Sequence, residues 1–281
     1  MECMAVSDGG LTYAPPMFPP PATILFGNAP AEALAQVLGE HDVQLETWTE
    51  WTSPYTCLLI GGAGHLVLVD TGAGSLAPST GRLIHNLRSA EIAPGDIDTV
   101  ILTHAHPDHT GGNIDSEGKL AFPNARYVMW KSEWDFWTSD QAARKLGEHG
   151  QMMVPFAQRT LPPIRDRLDL VDRETEILPG IRAVAAPGHT PGHMAVAISS
   201  GEQQLLCISD TVLHPIHLER PEWYAAVDFA PEQVISTRRR LLNEAATGKS
   251  LVLSFHFPFP ALGHVVPKGS GWRWQPIHRP G

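Results

Sequence analysis

Three observations make this an α/β chain with layered sheets and helices outside. Short β-type apolar runs come first as a hairpin and later mix with helical stretches. The 25 glycines and 25 prolines in 281 residues exceed the roughly 12% the two contribute on average, which asks for many turns and argues against a helical bundle. Apolar residues make up 43% and charged residues 18%, so a buried core is expected and global disorder is excluded.

Taken in order, residues 1–30 read as an irregular, proline-rich N-terminal arm. Pro15, Pro16, Pro19, Pro20 and Pro21 exclude helix and central strand there. Such an arm either wraps the second subunit of a homodimer or trails as a flexible tail. The rest, 31–281, reads as one domain. Pro30 suits a first helical turn, and Ala31 to Leu38 follows as a helix stopped by Gly39. Thr56–Ile60 and His65–Val69 read as strands joined by Gly61-Gly62-Ala63-Gly64. Residues 81–90 place Leu83, Ile84 and Leu87 on one helical face. Thr99–Leu102 is a buried strand and Arg126–Trp130 another, with helices expected over 140–146 and 152–161. Ile181–Ala186, Met194–Ile198 and Gln204–Ile208 are three more strands. Pro231–Ala246 is the clearest helix, and Leu251–Phe255 the last strand.

The charge balance narrows the partners. A net charge of −10 offers no basic field to nucleic acid or an anionic membrane. No apolar run approaches the roughly 18 residues of a membrane span. Glu2 and Asp8 stand where a leader would be basic and then apolar. Cys3, Cys57 and Cys207 are too few and too odd for a disulfide framework. The expectation is a cytoplasmic protein acting on a small molecule.

The chemistry sits in Thr103-His104-Ala105-His106-Pro107-Asp108-His109. Alternate residues of an extended chain point the same way, so His104 and His106 can face one point. Pro107 then turns the chain, and Asp108 and His109 can face a second point nearby. Imidazole nitrogen and carboxylate oxygen at this density suit a closely spaced pair of metal ions. Left unligated, such a cluster at a strand end would carry a heavy desolvation cost.

This motif resembles the signature of the metallo-β-lactamase superfamily of dinuclear metallohydrolases. Val69-Asp70-Thr71-Gly72, Pro187-Gly188-His189-Thr190-Pro191-Gly192-His193, Ser209-Asp210 and Ser254-Phe255-His256 follow the family's segments in order. The resemblance implies an αββα sandwich of two mixed sheets with helices on the outer faces. It puts His104, His106 and His189 on one divalent ion and Asp108, His109 and His256 on the other, with Asp210 bridging. Zinc is the default metal, while manganese, cobalt and iron fit the same donors. A hydroxide bridging two ions ~3.5–4 Å apart would attack the substrate. Asp108 would relay a proton to the leaving group, and Asp70 would orient the histidine loop.

The resemblance is closest to lactonase-like and methyl-parathion-hydrolase-like members, on Asp228-Phe229-Ala230-Pro231 and His256-Phe257-Pro258-Phe259-Pro260 with Gly263-His264. It implies hydrolysis of a neutral, apolar ester or lactone, with phosphotriesterase side activity. Homoserine lactonases place a tyrosine three residues after the bridging aspartate. Here that position is Leu213, and His214 follows as the candidate to position a substrate oxygen. A glyoxalase-type thioester hydrolase is the main rival, and an inactive metal-binding scaffold the non-enzymatic one. Phe257, Phe259, Trp223 and Trp134 are expected at the pocket. His193 is expected to support its loop, and His264 and His217 to lie near the site. His41, His65, His85, His149 and His278 read as ordinary surface or turn residues.

Overall fold

A computed structural model describes residues 1–62 and 64–277 of the chain. Two mixed sheets stack face to face with helices outside each. The first runs β1 (Glu2–Tyr13), β2 (Trp51–Gly62), β3 (His65–Val69), β4 (Thr99–Ile101), β5 (Arg126–Trp130) and β6 (Leu168–Val171). The second contains β7 (Thr175–Leu178), β8 (Ile181–Ala185), β9 (Met194–Ser200), β10 (Gln203–Cys207), β11 (Leu251–Leu253), β12 (Leu262–Lys268) and β13 (Gly271–Pro276), in order from β13 to β7. Parallel pairing runs from β3 through β6 and again between β10 and β11, and the remaining pairs are antiparallel.

Period-2 alternation builds the layers. Leu58, Val67, Val69, Ile101 and Val128 face inward and meet Ala183, Val196, Ile198, Cys207 and Leu253 of the other sheet. Leu59, Leu68, Val100 and Tyr127 face outward under Leu83 and Leu87 of the helix Leu83–Ser89. On the far side, Val184, Leu206 and Val252 pack under Leu241, Leu242 and Ala245 of the helix Pro231–Gly248. The strands that are buried on both faces are the ones whose sequences run apolar without a break.

The expected arm is a correction. Residues 2–13 form a strand paired with β2 from Glu2↔Gly61 to Tyr13↔Trp51, so the boundary at residue 30 does not set an arm apart. All five prolines lie beyond Tyr13, and an edge strand tolerates polar residues because one of its sides makes no ladder. Its alternation is weak, with Val6 and Asp8 buried, which hid it. The prolines do keep the chain irregular after Tyr13, and Pro21 opens the short helix Pro21–Leu25. Strands β6, β7, β12 and β13 and the helix Lys131–Trp137 went unread for a related reason: they are short or lie near sheet edges. Ala63 and His278 lie outside the described residues, as does the side chain of His149.

Asp8 shows why β1 belongs to the fold. Its buried carboxylate accepts from the backbone N–H groups of Ala73 (2.8 Å), Gly81 (3.2 Å) and Leu83 (2.9 Å). It thereby ties the edge strand to the loop that follows β3. Asp8→Ala strands these buried donors and should cost about 3 kcal/mol in urea unfolding. A loss within experimental error would mean that the loop holds without the strand.

Candidate metal centre

Five loops meet at one rim of the sandwich. Asp70 follows β3, His104 to His109 follow β4, His189 lies between β8 and β9, Asp210 follows β10 and His256 follows β11. Two of these loops hold the backbone in an unusual conformation. Asp70 and Ser209 sit at φ +61° and +44°, where non-glycine residues are uncommon. Gly188, at φ +135°, lets the His189 loop touch the helix Pro231–Gly248: a Cβ there would lie 2.3 Å from the Val234 nitrogen.

The structure brings all seven sequence-selected side chains together in two groups of four that share Asp210. One contains His104, His106, His189 and Asp210, the other Asp108, His109, Asp210 and His256. Within each group the ligand-type atoms lie within 4.8 Å of one another. His104 Nε2 is 3.7 Å and His189 Nε2 3.3 Å from Asp210 Oδ2, and His106 Nδ1 is 3.0 Å from His189 Nε2. In the second group His109 Nε2 is 3.2 Å from Asp210 Oδ1, and His256 Nε2 is 2.9 Å from Asp210 Oδ2. Asp108 Oδ2 closes it, 3.6 Å from His109 Nε2 and 3.5 Å from His256 Nε2. Bonds of about 2.0–2.1 Å to a tetrahedral ion imply ligand separations of about 3.3 Å.

Two buried atoms test the fit. His104 Nε2 and His109 Nε2 make no well-aligned hydrogen bond, His109 despite its 3.2 Å approach to Asp210, although buried polar atoms are almost always paired. A cation would satisfy both, so the donor set fits two metal ions.

The other ring nitrogens are held from behind. Thr103 Oγ1 donates to Asp70 (2.9 Å) and stands 3.1 Å from His104 Nδ1. Asp70 also accepts from His109 Nδ1 (2.8 Å) and the Thr103 backbone N–H (2.8 Å), as its expected orienting role requires. Asp228 accepts from His189 Nδ1 at 2.8 Å, and Ser53 Oγ lies 2.7 Å from His256 Nδ1. These bonds select which nitrogen faces the shared carboxylate.

The sequence assigns no role to Ser53 or Glu133 and marks Asp228 only as part of the lactonase-like stretch. Fully buried Glu133 accepts from Ala105 N (2.9 Å), Gly192 N (2.8 Å), Thr190 Oγ1 (2.7 Å) and Trp137 Nε1 (2.7 Å), joining two histidine loops. An acid set in the aromatic run Trp130–Trp137 was the available signal, since carboxylates are seldom buried without partners.

Electrostatics follow from this crowding. Burial and neighbouring imidazoles hold His104 and His106 well below the ordinary histidine value, so both are neutral donors. Burial also lowers His109, but Asp210, Asp108 and Asp70 outweigh it and leave it well above. His189 is pulled down by burial and raised more by Asp210 and Asp228, reaching about 9. Asp210 is pushed up by burial yet held far below the usual carboxylate range by His256, His109 and His104.

The remaining candidates divide. His193 supports its loop, donating through Nδ1 to Ala186 O (3.0 Å) and accepting the Asp210 N–H (3.2 Å). His214 stacks edge-on against Phe26, 5.6 Å away, near Trp48 at 5.9 Å, and accepts the Ile216 N–H through Nδ1. His217 is buried and bonds to Leu25 O. His264 lies on β12, bonded to Ser250 O and remote from the clusters. The expected aromatic lining is corrected. Phe257 is core against Trp274, Phe259 is exposed, Trp223 is buried with Leu25 and Leu38, and Trp134 carries Arg165 over its ring. A cleft of about 510 Å³ instead opens beside His106 and His189, walled by Ile24, Phe136, Trp137, Met153 and Phe229. Burial of Phe257 is set by β13, an element the local pattern did not reveal.

Two sandwiched mixed sheets and this histidine–aspartate rim define a metallohydrolase fold, and the chain belongs to the metallo-β-lactamase superfamily, whose family model matches residues 52–272. It is similar to the N-acyl homoserine lactonase of Bacillus thuringiensis, at 24% identity over 224 residues, covering 72% of this chain and 81% of that protein. Among solved structures it resembles AidC, a dizinc quorum-quenching lactonase in complex with N-hexanoyl-L-homoserine, with a TM-score of 0.88 and 27% identity over 99% of this chain and 95% of that one. The hydrolase AbOPH of the β-lactamase superfamily superposes with a TM-score of 0.87 at 26% identity, again over 99% and 95%.

Two outcomes follow. A metal entering at pH 7 must displace the His189 proton, whose pKa is about 9. Calorimetric titration of metal-free protein in buffers of different ionisation heat should therefore show release of about one proton or more, with apparent affinity rising as pH approaches 9. No buffer dependence would contradict the protonated apo site. Asp228→Ala should also weaken metal binding about 10–100-fold, read by competition with a chelator.

Proposed function

We propose that the protein is a dinuclear metal-dependent hydrolase that opens neutral, apolar lactones and esters. The observation that carries this reading is the pair of four-residue clusters sharing Asp210, with two orphaned imidazole nitrogens aimed into them. His104, His106 and His189 would hold one ion, Asp108, His109 and His256 the other, and Asp210 both. Such ions supply Lewis acidity and activate water for attack on an acyl or phosphoryl centre.

The chain's own residues do the rest. Neutral His104 and His106 are ready as donors, and Asp70, Asp228 and Ser53 keep their neighbours oriented. Asp108 is the one half-buried member of the two clusters and is suited to pass a proton to the departing oxygen. His214 accepts the Ile216 N–H through Nδ1, which leaves the ring proton on Nε2 as a donor for a substrate oxygen. Ile24, Phe136, Trp137, Met153 and Phe229 favour an apolar acyl body, because an unpaired charge would be costly to bury among them. Lys145 is the one lysine or arginine among the described residues that line the cleft. A glutathione tail, with two carboxylates, finds little to hold it.

A panel of lactones, aryl esters, phosphotriesters and glutathione thioesters at defined metal loading tests the reading. N-acyl homoserine lactones and aryl esters should turn over first, phosphotriesters more slowly, with rates rising from mildly acidic pH to a plateau near neutrality. His256→Ala should lose metal and turnover together, and His214→Ala should slow the reaction with metal retained. Efficient thioester hydrolysis without lactone or ester turnover would move the protein to the glyoxalase-type reading.

A further inference from the structure

Tyr13 ends β1, ahead of the segment matched by the family model, yet it stands beside the Asp108–His256 group. Its ring stacks on Trp51 at 5.3 Å and packs on Phe18 at 4.7 Å. Trp51 lies 6.3 Å from the His256 ring. Its hydroxyl is 3.0 Å from the hydroxyl of Tyr55, whose ring sits edge-on 5.6 Å from His256. Two of its three neighbours, Trp51 and Tyr55, therefore rest on the same imidazole.

The direction of the Tyr13–Tyr55 bond follows from burial. Tyr55 is fully buried, and a buried hydroxyl proton without an acceptor is costly. Tyr55 therefore donates to the Tyr13 oxygen, and the Tyr13 proton is left to point elsewhere. Tyr13 is only half-buried. The imidazole nitrogens around it face either the clusters or the partners behind them, and Asp108 and Asp210 can only accept. Tyr13 thus brings an uncommitted O–H to a site otherwise short of donors.

We propose that Tyr13 is a catalytic hydrogen-bond donor that stabilises the departing oxygen of the ester or lactone, presented by Tyr55. This deepens the hydrolase reading above and rests on it. Water oxygen bonds to the acyl carbon, and the acyl C–O bond breaks with its electron pair on the departing oxygen. One water proton reaches that oxygen through Asp108. Tyr13 keeps its own proton throughout. At the position where homoserine lactonases carry a tyrosine, this chain has Leu213, packed with Phe26 and Trp223. A phenol from a different strand meets the same need for a neutral donor.

The test compares Tyr13→Phe with wild type on esters graded by leaving-group acidity, at equal measured metal content. A donor to the departing oxygen matters most when that oxygen leaves poorly. Alkyl esters and lactones should lose about 10–100-fold in kcat with KM little changed, while p-nitrophenyl esters should lose less than about 3-fold. Tyr55→Phe, which frees Tyr13 from its orienting bond, should give the same pattern with smaller losses. Thermal unfolding and metal analysis run alongside, since the phenylalanine ring preserves the packing on Trp51. A loss equal across all leaving groups, a loss that follows metal content, or no loss overturns the proposal. Wild type with no ester or lactone turnover would instead overturn the hydrolase reading itself.

Discussion

A single carboxylate organises this molecule. Asp210 is buried among His104, His109, His189 and His256, with separations of 2.9–3.7 Å. A charge so far from water is tolerated only when it is compensated on several sides. His109 and His189 supply that compensation as protonated partners when no cation is present, and a cation supplies it when one is. The rim of the sandwich is shaped around this requirement. Loops from both sheets converge there, and the backbone accepts left-handed conformations at Asp70 and Ser209 to let them do so.

Converging histidines would be of little use if their rings could turn. Each of four rings has one nitrogen committed: His104 to Thr103, His109 to Asp70, His189 to Asp228 and His256 to Ser53. Asp228 is in turn anchored by the Ala225 N–H at 2.8 Å. Arg238, buried in the long helix, binds the carbonyls of Thr211 and Pro221 and so holds the chain that follows Asp210. Glu133 does similar work between the His104–His109 loop and the His189 loop. Orientation thus passes outward from the centre through groups that never face it.

The cleft beside the rim is built differently. Ile24, from the N-terminal region, lines the cleft, and its carbonyl accepts the Ala226 N–H at 2.8 Å, tying that wall to the loop carrying Phe229. Phe136 and Trp137 come from the helix Lys131–Trp137, and the Trp137 ring lies 5.5 Å from His106. The shared superfamily region holds the ligand rim, while one wall of the cleft comes from residues ahead of it.

The donor types and the layered class are legible in short windows of the chain. His104, His106, Asp108 and His109 are local, and a strand followed by a proline turn presents them whatever the remainder does. The apolar periodicity of β3, β4, β5 and the helix Pro231–Gly248 likewise belongs to short windows. The rest depends on contacts between distant parts of the chain. The strand Glu2–Tyr13 exists because it pairs with Trp51–Gly62, some forty residues away at the Tyr13 end. Phe257 is core because β13 covers it, and Ile24 lines the cleft because residue 226 holds it there. Local pattern carries periodicity and donor type. Burial, ring orientation and edge pairing depend on which distant residues arrive beside them, and that is settled only when the chain closes.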